Sequence, residues 1–338
     1  MKNFNIKTDA GFMALGVRLV IGWTYFSAFW RRTVLDYKLD PELPGYIGEK
    51  FNHFLPNALG IKPLILYMVE NPEILWWNML IFTIIEGIVG LLIMFGSFTR
   101  LMSIGVFSLA MGILLGSGWI GTTCLDEWQI GSLGIATGVF LFFTGGGNFS
   151  MDNYFKNKNY AFTQKKWFRW LGSGELPLSN KVYTRLVLVA SFFVFGMTLM
   201  TNQVFHGGLW GELHNKSVRP KLEITEGTIS NNTISFDVFR VEGADVYGSW
   251  LIGIDILNDQ GNVVLRYDQD DLANLQDENI SNYYVAKIKP HNHSLLIPLG
   301  AKARLNLQHE NIEALEPGKY TIRMTDISGV YWDHEVMK

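Results

Sequence analysis

The stretch WWNMLIFTIIEGIVGLLIMFG, Trp76–Gly96, decides the fold. It runs 21 residues with one charge, Glu86. At ~1.5 Å of rise per residue, a helix of this length spans the ~30 Å hydrocarbon core of a bilayer. Four further apolar stretches flank it: Gly11–Trp30 before it, then Leu101–Gly118, Ile130–Gly145 (the shortest) and Val182–Thr201. A buried helix of a soluble protein mimics one such stretch, but not five within some 200 residues. The fold expected is therefore a membrane α-helical bundle of about five transmembrane helices. Small residues recur inside the spans: Gly87 and Gly90; Gly105, Ser108 and Gly112; Gly131, Gly134 and Gly138. They permit close helix approach in lipid, where packing rather than water exclusion drives association.

The rest of the chain answers to a different solvent. Of the 338 residues, 48% are hydrophobic and only 17% charged, with a mean hydropathy of +0.14. The charges thin out before residue 150 and crowd in after residue 215. A net charge of −3 leaves no basic stripe to neutralise phosphates, which argues against nucleic acid as the main partner. The one cysteine, Cys124, excludes an intramolecular disulfide, a Cys-x-x-Cys pair, a cysteine zinc site and a cysteine-ligated iron–sulfur cluster within one chain. Phe29-Trp-Arg-Arg32 follows the first apolar run where a cleavage site would need small residues, so that run reads as an uncleaved anchor. Lys156, Lys158, Lys165, Lys166, Arg169 and Lys181 place the segment between the fourth and fifth spans in the cytoplasm. Arg100, Lys2 and Lys7 fall on the same side with five spans. The expectation is a multi-pass protein of the cytoplasmic (inner) membrane, N-terminus inside. The loop Arg31–Leu75, the loop Trp119–Trp128 and everything after residue 205 then face outward.

The first loop is too long for a simple connector. Its Phe51, Phe54, Leu55, Leu64, Ile65, Leu66 and Tyr67 suggest a folded cap on the bilayer surface. From about Ser217 the hydrophobic period becomes two: Lys221–Thr225, Thr233–Val241, Trp250–Ile256, Val263–Tyr267, Tyr283–Ile288 and Lys319–Met324 alternate apolar with polar. Turn signals such as Asn258-Asp-Gln-Gly-Asn and Glu316-Pro-Gly separate them. The reading is an all-β, immunoglobulin-like sandwich over about 217–338. Residues 1–180 form a four-span domain; residues 181–338 hold one span, about 182–201, and the sandwich.

The densest cluster of unusual residue types is Gly118-Trp-Ile-Gly-Thr-Thr-Cys-Leu-Asp-Glu-Trp-Gln-Ile-Gly131, at the outer ends of the third and fourth spans. It supplies the thiol of Cys124, the carboxylates of Asp126 and Glu127, the hydroxyls of Thr122 and Thr123, and the indoles of Trp119 and Trp128. One reading is a thiol nucleophile or redox centre roofed by aromatics. The other is an interfacial loop with tryptophan anchors and a cysteine acting as a small hydrophobe. Arg31 and Arg32, beside Trp30, stand on the outer side against the positive-inside preference; guanidinium forks suit oxyanions. Arg18 and Glu86 are intramembrane charges. By helical rise, Arg18 lies ~10 Å and Glu86 ~15 Å from the inner surface, so the two are expected to pair, as a functional or a structural ion pair. Gly145-Gly-Gly147 reads as the end of the fourth helix, and His291 and His293 as surface residues. The seven histidines show no metal-ligand spacing, and there is no haem-attachment or dinucleotide fingerprint.

Arg18-Leu-Val-Ile-Gly-Trp-Thr-Tyr-Phe-Ser-Ala-Phe-Trp-Arg-Arg32 and the Gly118–Gly131 stretch resemble the DoxD subunit of thiosulfate:quinone oxidoreductase. The region after about residue 180 resembles its partner subunit DoxA, more loosely. The resemblance implies a DoxD–DoxA fusion in which two thiosulfates and a quinone give tetrathionate and quinol. It implies a ubiquinone- or menaquinone-type acceptor and no metal, haem or flavin. Thiosulfate is a dianion, and two must meet to form the central S–S bond, a repulsion that Arg31 and Arg32 would screen. On this basis Cys124, Asp126 and Glu127 are the catalytic candidates. Arg31, Arg32, Thr122 and Thr123 are the substrate-binding candidates. Trp30, Trp119, Trp128, Arg18 and Glu86 are candidates for quinone binding or proton transfer. His206, Trp210 and His214, after the fifth span, are weaker ones. The partners expected are thiosulfate, a membrane quinone, the bilayer and a second copy in a homo-oligomer, with no nucleic acid. Transport of a small sulfur oxyanion and a non-catalytic membrane assembly role are the competing classes.

Overall fold

The computed structural model describes residues 6–43, 45–118, 127–212, 219–244 and 249–338. These fall into two compact units: one built from residues 6–47, 76–118 and 127–212, the other from residues 48–75 and the chain after 218.

The first unit is helical because its segments are apolar over helix-length windows. Ile6–Met13 (α1) and Leu15–Trp30 (α2) share the first expected span, with a turn at Ala14 between them. Past Trp30 the helix widens into a π-helical turn, Arg31–Leu35, closed by Asp36 N–H donating to the Arg31 carbonyl at 3.0 Å. Two helices of the long first loop follow, Ile47–Phe54 (α3) and Lys62–Glu70 (α4), then Pro72–Phe95 (α5) and Thr99–Gly116 (α6). Glu127–Thr144 (α7), the short Met151–Asn157 (α8) and Lys166–Leu171 (α9), and Asn180–Phe205 (α10) complete the helical run. Among the described residues, α5, α6 and α10 are long and apolar enough to cross a membrane. The other two expected spans are the 16-residue α2 and the 18-residue α7. The outward face is apolar: Phe192, Val189, Leu133 and Val20 are each more than 60% exposed, a surface that water would reject and lipid accepts. α7 ends at Thr144, and Gly145 and Gly147 take the left-handed φ of +68° and +64° that a side chain disfavours, as the triple glycine predicts.

The helices meet where glycine removes bulk. A Cβ on Gly90 of α5 would stand 2.4 Å from the Phe26 nitrogen and 2.6 Å from the Gly22 carbonyl oxygen, so α2 and α5 touch backbone to backbone. Just past the C-terminal end of α5, the buried Asp152 carboxylate caps the start of α6. It accepts from the Phe98 and Thr99 N–H groups at 2.7 and 2.9 Å, and from the Thr99 and Ser173 hydroxyls at 2.9 and 2.8 Å.

The second unit carries the β-domain. Its strands are Lys221–Ser230 (β1), Thr233–Glu242 (β2), Ser249–Leu257 (β3), Val263–Tyr267 (β4), Ile280–Asn282 (β5), Lys289–His291 (β6), Ser294–Ile297 (β7), Lys302–Gln308 (β8), Lys319–Asp326 (β9) and Tyr331–Met337 (β10), with a short helix Gln269–Ala273 (α11) after β4. Among the described residues all pairings are antiparallel. One sheet runs β1-β2-β8-β5 and the other β10-β9-β3, extended by β4, β7 and β6. That is the immunoglobulin arrangement, A-B-E-D against G-F-C. Alternate residues of both sheets, among them Phe236, Leu305, Ile254 and Ile322, share one buried core. Tyr320, at the start of β9, donates its hydroxyl to the Glu316 carbonyl at 2.8 Å, the tyrosine corner of that fold.

One expected strand is absent. The Tyr283 N–H still donates to the Lys302 carbonyl at 2.9 Å, but the chain from Tyr284 to Ile288 bends instead of pairing. The Asn282 side chain bridges the segment, accepting from the Ile288 N–H at 2.7 Å and donating to the Ile288 carbonyl at 3.0 Å. The Ala286 N–H goes to Asn52, far away in sequence. These amides satisfy groups that a strand neighbour would otherwise take.

Candidate functional site

A polar centre lies inside the helical unit where α2 faces α5. Tyr25 and Arg32 are seven residues apart and therefore lie on one side of their helix. Thr83 and Glu86, three apart, do the same on α5. The Arg32 Nη1 donates to the Glu86 Oε2 as a salt bridge. The Glu86 side chain is 4% exposed and that of Arg32 19%, so the pair has one wet member and one dry. Arg31 and the buried Tyr25 lie within electrostatic range of the same carboxylate. The Phe29 ring lies over Gly87, where a Cβ would stand 2.7 Å from it. The π-helical turn adds a residue to the helix where Arg31 and Arg32 leave it; such insertions recur at functional sites. The Tyr25 hydroxyl makes a long hydrogen bond, 3.4 Å, to the Val106 carbonyl of α6. The buried Thr83 hydroxyl has no hydrogen-bond partner among the described residues.

The expected Arg18–Glu86 pair is not formed. Arg18, 2% exposed, donates instead to the carbonyls of Gly146 and Phe149. Helical rise placed the two charges at matching depth, but α2 turns Arg18 toward the glycine-rich end of α7. Glu86 meets the arginine fourteen residues further along the same helix. Arg18 thus ties α2 to the segment after α7 and leaves the candidate site. Arg100 does similar work there, donating to the Phe142, Arg169 and Gly172 carbonyls at 3.0, 3.1 and 2.9 Å.

Trp30 is exposed and stacks on Phe26 at 6.2 Å, and the exposed Arg31 donates through Nε to the Ser27 carbonyl at 3.3 Å. Glu127 begins α7. Trp128 donates through Nε1 to the Thr201 hydroxyl at 2.9 Å and meets the His206 ring edge-on at 5.2 Å, joining α7 to the end of α10. Trp119, Thr122, Thr123, Cys124 and Asp126 lie outside the described residues, and so does His214. The structure therefore brings together Arg31, Arg32 and Glu86 and separates them from Arg18. Tyr25 and Thr83 join them unforeseen. The only sequence signal for Tyr25 was its seven-residue spacing from Arg32, and Thr83 stands one turn before Glu86.

An apolar bundle with a buried arginine–glutamate pair, followed by an immunoglobulin-type β-domain, defines a multi-span membrane protein with a polar centre between its first helices. Residues 13–179 match the family model described as TQO small subunit DoxD, and residues 205–335 match that of TQO small subunit DoxA. The chain belongs to these families and is a DoxD–DoxA fusion. The DoxD match includes α3 and α4 of the first loop; residues 180–204, most of α10, lie between the two matches.

Proposed function

We propose that the protein is a thiosulfate:quinone oxidoreductase that couples two thiosulfates to tetrathionate and passes two electrons to a membrane quinone at the outer face of the membrane. The observation that carries this reading is the presence of both TQO small-subunit families in one chain. The centre around Arg32 and Glu86 supports it. Arg31 and the partly exposed Arg32 offer positive charge for the sulfonates of a dianion, and Trp30, Phe26 and Phe29 offer apolar rings to a quinone entering from lipid. Glu86, Asp126 and Glu127 are the groups that hand protons to the quinone oxygens. Thr122 and Thr123 are hydroxyl donors for the second anion. The lysine- and arginine-rich segment 156–181 supports a cytoplasmic location for that end, with Arg31 and Arg32 outside.

In the chemical sequence we propose, the Cys124 thiolate adds to the quinone. One thiosulfate attacks the cysteine sulfur and expels the two-electron-reduced quinone, which takes two protons to become quinol. This leaves a cysteine–S–S–sulfonate. A second thiosulfate attacks its sulfane sulfur, releasing tetrathionate and restoring the thiolate. Charge and electrons balance at each step, and one cysteine suffices.

The test is anaerobic quinone reduction by the detergent-purified protein with thiosulfate as sole donor and tetrathionate assayed in parallel. Quinol and tetrathionate in equal amounts are expected. No reduction with several quinones and lipid supplied would overturn the reading. Full turnover by Cys124→Ser would remove the covalent route alone.

A further inference from the structure

The first loop belongs by sequence to the DoxD part, since α3 and α4 lie inside residues 13–179. Residues 48–75 nevertheless form one compact unit with the β-domain of the DoxA part. The centre of this contact is Asn52, whose side chain is fully buried. Its Nδ2 donates to the Gly300 carbonyl, and its Oδ1 accepts from the Ala286 N–H at 3.2 Å. Both are backbone groups outside the strands: Gly300 lies in the turn before β8, and Ala286 in the bent segment that replaces the expected strand. An amide can accept from an N–H and donate to a carbonyl at once, as a neighbouring strand would; aspartate lacks the donor and leucine lacks both groups.

The fit is close. Gly300 adopts a φ of +73°, and a Cβ there would stand 2.0 Å from the Asn52 carbonyl oxygen, so only glycine lets the turn meet α3. Glu70, at the end of α4, lies within electrostatic range of Tyr284 in the same bent segment. The loop also buries Leu55, Ile65, Met68 and Val69, which short helices in water would leave exposed.

We propose that the first loop of the DoxD part is the docking receptor for the DoxA-type β-domain, with Asn52 reading two of its backbone groups. The two parts then hold together without the covalent link between α10 and β1. The contact decides which surface of one family part receives the other, whatever reaction the protein carries out.

The experiment uses the full chain in detergent, with a protease recognition sequence inserted between Glu212 and Pro220. After cleavage, the unaltered protein is expected to retain its β-domain fragment on size-exclusion chromatography. Asn52→Asp and Asn52→Leu should weaken retention about tenfold or more, because buried backbone groups lose their partners. In both variants the β-domain has its native sequence, so its release reports the contact and not its own folding. Gly300→Val should release it from the other side. A β-domain that leaves the unaltered protein on cleavage, or stays equally bound in the Asn52 variants, would overturn the proposal.

Discussion

The Arg32–Glu86 pair yields a quantitative test of the polar centre. Arg32→Met keeps the aliphatic stem and removes the cation, leaving the carboxylate of Glu86, 4% exposed, against apolar helix faces. Removing one partner of a buried pair costs about 3–5 kcal/mol, because the remaining charge keeps its desolvation penalty. Glu86→Gln is milder. It leaves the guanidinium with an amide oxygen and, at 19% side-chain exposure, a route to water; about 1–2 kcal/mol is expected. The double variant removes the orphaned carboxylate as well, so it should be more stable than Arg32→Met alone by about 2 kcal/mol. Thermal melting in detergent, followed by intrinsic fluorescence of the 11 tryptophans, reads this directly. At roughly 2–4 °C per kcal/mol for a unit of this size, Arg32→Met should lower the midpoint by roughly 6–20 °C. A midpoint within about 2 °C of the unaltered protein, or a double variant as unstable as the sum of the singles, would refute the reasoning that the pair is buried and coupled.

Three further outcomes follow from the packing of the bundle. Gly90→Leu should abolish the folded protein in detergent, since its Cβ would meet the backbones of Phe26 and Gly22. Gly112→Ala, with nothing within 4 Å, should leave the melting midpoint unchanged or slightly raised; size-exclusion profiles and melting curves separate the two. Asp152→Ala removes the acceptor of four hydrogen bonds at the start of α6 and should cost about 3 kcal/mol or more by thermal melting; a loss below about 1 kcal/mol would show that the cap is dispensable. Trp128→Phe and Thr201→Val should each cost about 1 kcal/mol, and the double variant little more than either alone. Fully additive losses would mean that the indole and hydroxyl do not act as one contact.

The first loop ties these observations together along the chain. It runs from the π-helical turn bearing Arg31 and Arg32 to the helix bearing Glu86, and its own helices fold with the β-domain. The two members of the buried pair thus flank, in sequence, a loop whose residues 48–75 form one unit with the β-domain.

What the sequence by itself determined is local and periodic. Runs of about twenty apolar residues announced helices in a bilayer, and the change to period two announced strands. Glycine at Gly145–Gly147 announced a helix end that the backbone confirms. The strand β8 is as legible as any, since Ala303, Leu305 and Leu307 alternate with polar neighbours. Partners were decided only by the tertiary structure. Depth along a helix did not tell which arginine Glu86 would meet. Depth is a one-dimensional quantity set by rise per residue, and pairing also needs the rotation of each helix about its axis. Tyr283–Ile288 alternates like a strand, yet it bends because amides at Asn282 and Asn52 take its backbone groups, and Asn52 lies 234 residues from Ala286. Periodicity reports which solvent each side chain prefers. It carries no information about which distant polar group will satisfy a given N–H, because that choice is made by the packing of whole elements and not by the residues beside it.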